Sequence, residues 1–271
     1  MYARALTWWT ILRIALAERL VYRGDFALGT MMRFLPIITQ IFLWYAVFQA
    51  RGKEQLNGFT YRDFVAYFLL TMVARAFSSM PGLASGIAGQ IRSGEIKKFL
   101  IQPIDLLGFL LLGRVAHKLA YYAVAVVPFA LVFFLCRDFF PGWPSLTAWS
   151  AGILSLILCF LLGYYLEACM GLVGFWWLEI SSLLFVYMLF SFFLSGHMFP
   201  LDMLPEPWHT LVALTPLQFL AYFPAAVLLG KIQGWNLVIG LAAEAGWVVF
   251  FIVLSRVLFH YGTRRYSAYG G

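Results

Sequence analysis

Charge is scarce in this chain. Only 11% of its 271 residues are Asp, Glu, Lys or Arg, against about a quarter in a soluble domain. Residues 119–136, 146–166 and 180–196 carry none at all. Cysteine is scarce too: Cys136, Cys159 and Cys169 lie in or beside apolar runs, so no disulfide framework is indicated. The four histidines, His117, His197, His209 and His260, show no metal-ligand spacing, and no metal site is expected. There is no glycine-rich phosphate loop with Lys and Ser/Thr, no nucleophile elbow and no kinase signature. The longest polar intervals are only loops, so a soluble catalytic domain has no room.

What is present is apolar length. The chain is 63% hydrophobic, and a membrane-spanning helix needs about 20 mostly apolar residues. Six spans are expected. They cover 26–48, 64–80, a third starting within 106–119 and ending near Cys136, a fourth from 146 as far as 173, 177–196 and 235–259. Backbone groups cannot stay unpaired in lipid, so these runs are helices or a closed barrel. A barrel alternates apolar and polar residues in strands of roughly ten, whereas these runs are continuous. The expected fold is an all-α polytopic membrane protein in one domain, residues 1–271.

Lys and Arg placement sets the orientation. Arg4, Arg13, Arg19 and Arg23 precede the first span. Arg92, Lys97, Lys98, Arg114 and Lys118 lie between the second and third, and Arg264 and Arg265 follow the last. Those eleven face Arg51, Lys53, Arg62, Arg137 and Lys231 on the other side. Both termini are therefore expected to be cytoplasmic. The net charge of +7 is mostly this asymmetry, and nucleic-acid binding is not indicated. Residues 1–25 mix aromatics with spaced charges. They read as an interfacial helix in contact with membrane lipid, with Trp8, Trp9 and Leu12 dipping inward, and not as a cleavable signal. A plain cytoplasmic lead-in is the alternative.

Two connectors stand out. Residues 82–105, between the second and third spans, place apolar Ile87, Ile91, Phe99 and Leu100 beside polar Glu95, Lys97 and Lys98, and Pro103 stops any helix. This is either an amphipathic docking element or a charged membrane-surface loop. Residues 195–230 hold Pro200, Pro205, Pro207, Pro216 and Pro224 between the apolar pieces 208–214, opening at Trp208, and 217–229. Those pieces are too short to cross a bilayer. They read as a re-entrant hairpin facing outside, or alternatively as one proline-rich loop.

At this point the chain resembles a family. The resemblance rests on Tyr22-Arg23-Gly24-Asp25-Phe26, on Ser93-Gly94-Glu95-Ile96 with Leu100-Ile101-Gln102-Pro103-Ile104-Asp105, and on Thr215-Pro216-Leu217 with Phe223-Pro224. In that order they resemble the permease subunit of type-2 ABC exporters, similar to bacterial viologen-exporter and daunorubicin-type permeases. The resemblance implies a non-catalytic, multi-pass export subunit in a bacterial plasma (inner) membrane. It implies a dimer with an identical or paralogous permease, resting on two copies of a separate ABC ATPase. ATP and Mg would be bound by that partner, and no cofactor by this chain. The coupling contact would be Ile91, Gly94, Glu95, Ile96, Lys97, Lys98, Phe99 and Pro103.

Charges inside spans are costly and mark function by default. The candidates are Arg33, Arg75, Glu244 and Arg256. Arg33 and Arg256 read as snorkelling to the cytoplasmic interface. Glu167 and Glu179 read as headgroup-level residues. Arg75 and Glu244 are deeper and read as an ion pair, either with each other or across a dimer, rather than as substrate contacts. The aromatics (19%) are expected as interface belts, the alternative being a stacking surface for a planar or cationic drug. Competing functions are a secondary transporter or channel, whose inverted repeats are missing, and a membrane lipid-modifying enzyme, whose carboxylate, His or Lys cluster is missing.

Overall fold

The computed structural model describes residues 2–21, 23–52, 55–56, 58–140 and 142–266. In chain order, α1 is Tyr2–Val21 and α2 Arg23–Arg51; β1 (Gln55–Leu56) and β2 (Phe59–Thr60) then form a small antiparallel ladder. There follow α3 (Tyr61–Ser78), α4 (Leu83–Arg92), α5 (Lys97–Leu100), α6 (Leu106–Leu135), α7 (Leu146–Leu172) and α8 (Ser181–Leu194). The last helices are α9 (Trp208–Ala213), α10 (Tyr222–Leu228) and α11 (Gly234–Arg265), with 3-10 turns at Val173–Phe175, Leu201–Met203 and Pro216–Leu220 among the connectors. The chain divides into two compact units, Met1–Gly52 with Lys98–Phe140, and Lys53–Lys97 with Pro141–Gly271.

In the first unit α1 and α2 both pack on α6. Asp105 caps α6 by accepting a hydrogen bond from the Gly108 N–H at 2.8 Å, which satisfies a donor that the first turn leaves open. Near that turn α1 lays Trp8 close to α6, where a Cβ on Gly108 would stand 3.2 Å from its ring. Phe34 and Phe129 meet edge to face between α2 and α6. The side chains of Arg4, Arg19, Arg23 and Arg33 lie outside the described residues; the backbone of Arg33 runs within α2.

The second unit is organised on α7. α11 lies along it, α3 and α4 follow one another beside it, and α10 packs on both α3 and α7. Small residues let the backbones approach, the usual device where lipid offers no hydrophobic contrast. A Cβ on Gly163 would run into the Ser78 carbonyl oxygen, and one on Gly171 into the Ala84 carbonyl. α3 begins with a reciprocal cap: Thr60 Oγ1 accepts from the Asp63 N–H, and Asp63 accepts from the Thr60 N–H. Pro81 and the left-handed Gly82 (φ 71°) separate α3 from α4.

Four described segments are long and apolar enough to cross a membrane: Tyr61–Arg92, Leu106–Leu135, Leu146–Phe175 and Gly234–Arg265. They contain four of the expected spans, and α2 contains 26–48. Two boundaries differ from expectation. Residues 83–92, expected in the cytoplasmic connector, form α4, which buries Leu83, Ala84, Ile87, Ala88 and Ile91. This is one helical stripe, laid on α7 and the turn after it. The segment 177–196 is helical only from Ser181 to Leu194, because Glu179 folds its carboxylate onto the Ser181 N–H and hydroxyl and starts the helix late.

Candidate transport and coupling sites

Glu244 sits on the α7 side of α11 and is 0% exposed. Its Oε2 accepts a 2.8 Å hydrogen bond from the Ser155 hydroxyl on α7, while its buried Oε1 has no hydrogen bond among the described residues. Arg75, on α3, donates instead to Ser191 Oγ on α8, at a long 3.4 Å. The expected Arg75–Glu244 pair is therefore not formed within this chain. Helix geometry is the reason: Glu244 projects into the α7–α11 seam and Arg75 toward α8. Arg256 is an exposed residue of α11. Glu167 is half-buried on α7, and Glu179 lies outside any helix, 3.0 Å from Arg92 at the end of α4. Hydrogen bonds from the Ser181 hydroxyl and N–H, aided by Arg92, hold the Glu179 carboxyl below its ordinary value.

The proline-rich connector 195–230 is built into the second unit. Its turn at Pro216–Leu220 and α10 bury Phe219 through Leu228. The Leu220 carbonyl accepts from the Ser78 hydroxyl at 2.8 Å and from the Cys159 thiol at 3.5 Å. Cys159 lies midway along α7. Leu228 packs where a Cβ on Gly152 would collide with it, and Lys231 reaches Asp63 and the Gly58 carbonyl at the start of α3. Between Leu220 and Lys231 the chain thus runs from mid-helix level to the helix ends. Tyr67 donates to the Gly196 carbonyl, and Tyr222 to both oxygens of Asp202 at 2.8 Å. Pro200 and Pro224 are buried, Pro216 opens the 3-10 turn, and Trp208 begins α9 with its ring exposed. Sequence reasoning missed Ser78, Ser155, Tyr67 and Tyr222. Their signal was a hydroxyl inside an apolar run, which needs an acceptor on a neighbouring helix.

The residues expected to meet an ATPase divide into two groups. Ile91 (1% exposed) and Ile96 (0%) are turned into the chain's own core. The Ile96 N–H bonds back to the Gln90 carbonyl, and Gly94 takes a left-handed φ of 80° to close the turn. The apolar area of these two isoleucines, both expected at the coupling contact, is used inside this chain. Glu95, Lys97, Lys98 and Pro103 are exposed, Gly94 and Phe99 are partly so, and Ile101 is 83% exposed. Phe99 meets Phe109 of α6 with the rings tilted at 49°, and Lys98 lies over the Phe99 ring.

Helices of membrane-crossing length, tied by hydroxyl–carbonyl bonds and close glycine contacts, define a multi-pass α-helical membrane protein. Residues 34–270 match the family described as ABC-2 family transporter protein, and the chain belongs to that family. No curated protein matches it.

Proposed function

We propose that this chain is the transmembrane subunit of an ATP-driven exporter, inserted six times with both termini cytoplasmic, in a bacterial plasma membrane. It pairs with a second permease, identical or paralogous, and rests on two copies of a separate ATPase that binds ATP and Mg. The observation that carries this reading is the family match over residues 34–270. The buried 219–228 segment supports a hairpin that enters from the outer side, reaches the level of Ser78 and returns. The exposed residues from Lys97 to Pro103 support a cytoplasmic contact with the ATPase. Under this reading the chain itself carries out no catalysis.

The reading is tested by purifying the tagged chain from its native membrane and identifying what comes with it. A phosphate-loop ATPase in comparable amount is the expected result. Purification without any such partner, even after cross-linking, would overturn it.

A further inference from the structure

Arg75 is the unusual residue of the second unit. The Ala74 carbonyl beside it accepts from Cys159, midway along α7, so Arg75 stands at the mid-depth of a helix long enough to cross a bilayer. Among the described residues its guanidinium makes one hydrogen bond, the 3.4 Å contact to Ser191, longer than a well-formed one. Among the described residues no carboxylate comes within ion-pair distance of it. Glu167 and Arg75 both act electrostatically on Tyr187. A guanidinium in a membrane helix without a counter-ion is expensive to hold.

What surrounds it is polar and under-used. Tyr187, Ser191 and Ser195 fall on successive turns of one face of α8 and its end. That face is the buried one. Ser191 is the one fully buried residue of α8, while Leu189, Phe190, Phe192 and Phe193 point outward. α8 thus hides its polar stripe and exposes its apolar one. Among the described residues the buried Ser195 hydroxyl and His197 Nδ1 have no hydrogen-bond partner. One positive charge remains on that buried face, on the same side of α8 as these polar atoms.

We propose that Arg75, Ser191, Ser195 and His197 form an intramembrane site for the oxyanion head of an amphiphile, a carboxylate or phosphate ester on an alkyl chain. Arg75 supplies a charge-assisted, fork-shaped contact to the head. The hydroxyls complete it, and the tail lies along the outward apolar side chains of α8. The site rests on the transporter reading only for where its ligand goes; binding itself needs neither ATP nor a partner.

The test therefore reads binding. The purified full chain, in neutral phosphatidylcholine nanodiscs, is exposed to a diazirine-bearing dodecyl phosphate and the labelled peptides are mapped. Saturable labelling at 187–197 or around Arg75 is expected, with affinity falling roughly tenfold in Arg75→Gln, as for loss of a charge-assisted contact, and less in Arg75→Lys. Competition by phosphatidylglycerol identifies a lipid headgroup as the source; competition by dodecyl phosphate alone identifies a free amphiphile. If Arg75→Gln does not fold, the wild-type map and Ser191→Ala, expected to bind several-fold more weakly, carry the test. Labelling confined to other helices, or equal in wild type and variants, overturns the proposal. Either result leaves co-purification of the ATPase unaffected.

Discussion

The Ser78 hydroxyl donates to the Leu220 carbonyl oxygen at 2.8 Å, joining the end of α3 to the turn at Pro216–Leu220. A carbonyl in a dry interior needs a donor, and this one is also reached by the Cys159 thiol. Ser78→Ala is expected to lower stability by about 1–2 kcal/mol, and Ser78→Cys by less. Thermal unfolding of the purified chain measures both. An unchanged Tm in Ser78→Ala would mean that the connector is held by packing alone.

The glycine contacts on α7 predict an order. A Cβ on Gly163 meets backbone, the Ser78 carbonyl, whereas a Cβ on Gly152 meets only the movable Leu228 side chain. Gly163→Ala is expected to cost about 1–3 kcal/mol by overpacking and Gly152→Ala distinctly less. Detergent-solubilised unfolding curves for the two variants decide it, and the reverse order contradicts the packing described.

Ser155 and Glu244 tie α7 to α11. Removing the donor with Ser155→Ala leaves a fully buried carboxyl without its hydrogen bond, at a cost of about 1–3 kcal/mol. Glu244→Gln, which keeps an acceptor oxygen for Ser155, is expected to be milder than Glu244→Leu. Equal stability of all three variants would show that the bond contributes nothing.

The long apolar helices were legible in the sequence because long uncharged runs report directly on what lipid tolerates. Side-chain direction was not legible. Ile91 and Ile96 look like one side of a docking helix, yet Pro81 and Gly82 merely interrupt the membrane helix and Gly94 folds Ile96 inward. Arg75 and Glu244 invited pairing because each is an isolated charge in an apolar run. The rotation of α11 against α7, set by contacts that no single run encodes, points Glu244 at Ser155 instead.

That inward turn changes which residue tests coupling. Ile96→Asp is expected to unfold the turn, since it buries a charge where Ile96 is 0% exposed. Ile101→Ser, at a position 83% exposed, is expected to leave Tm unchanged but weaken ATPase retention, with a loss on the order of 1–2 kcal/mol for a contact side chain. Pull-down of the ATPase by wild type, Ile101→Ser and Lys98→Ala measures this. Full retention by Ile101→Ser removes the 97–103 segment from the contact.

The central claim is that the chain is a passive membrane subunit energised by a separate ATPase, and ATP hydrolysis in reconstituted vesicles tests it most directly. The account predicts vanadate-sensitive hydrolysis by the complex from native membranes, and none by this chain purified alone. Hydrolysis by the chain alone, or transport of a dodecyl phosphate probe by the chain alone down an ion gradient, would contradict it.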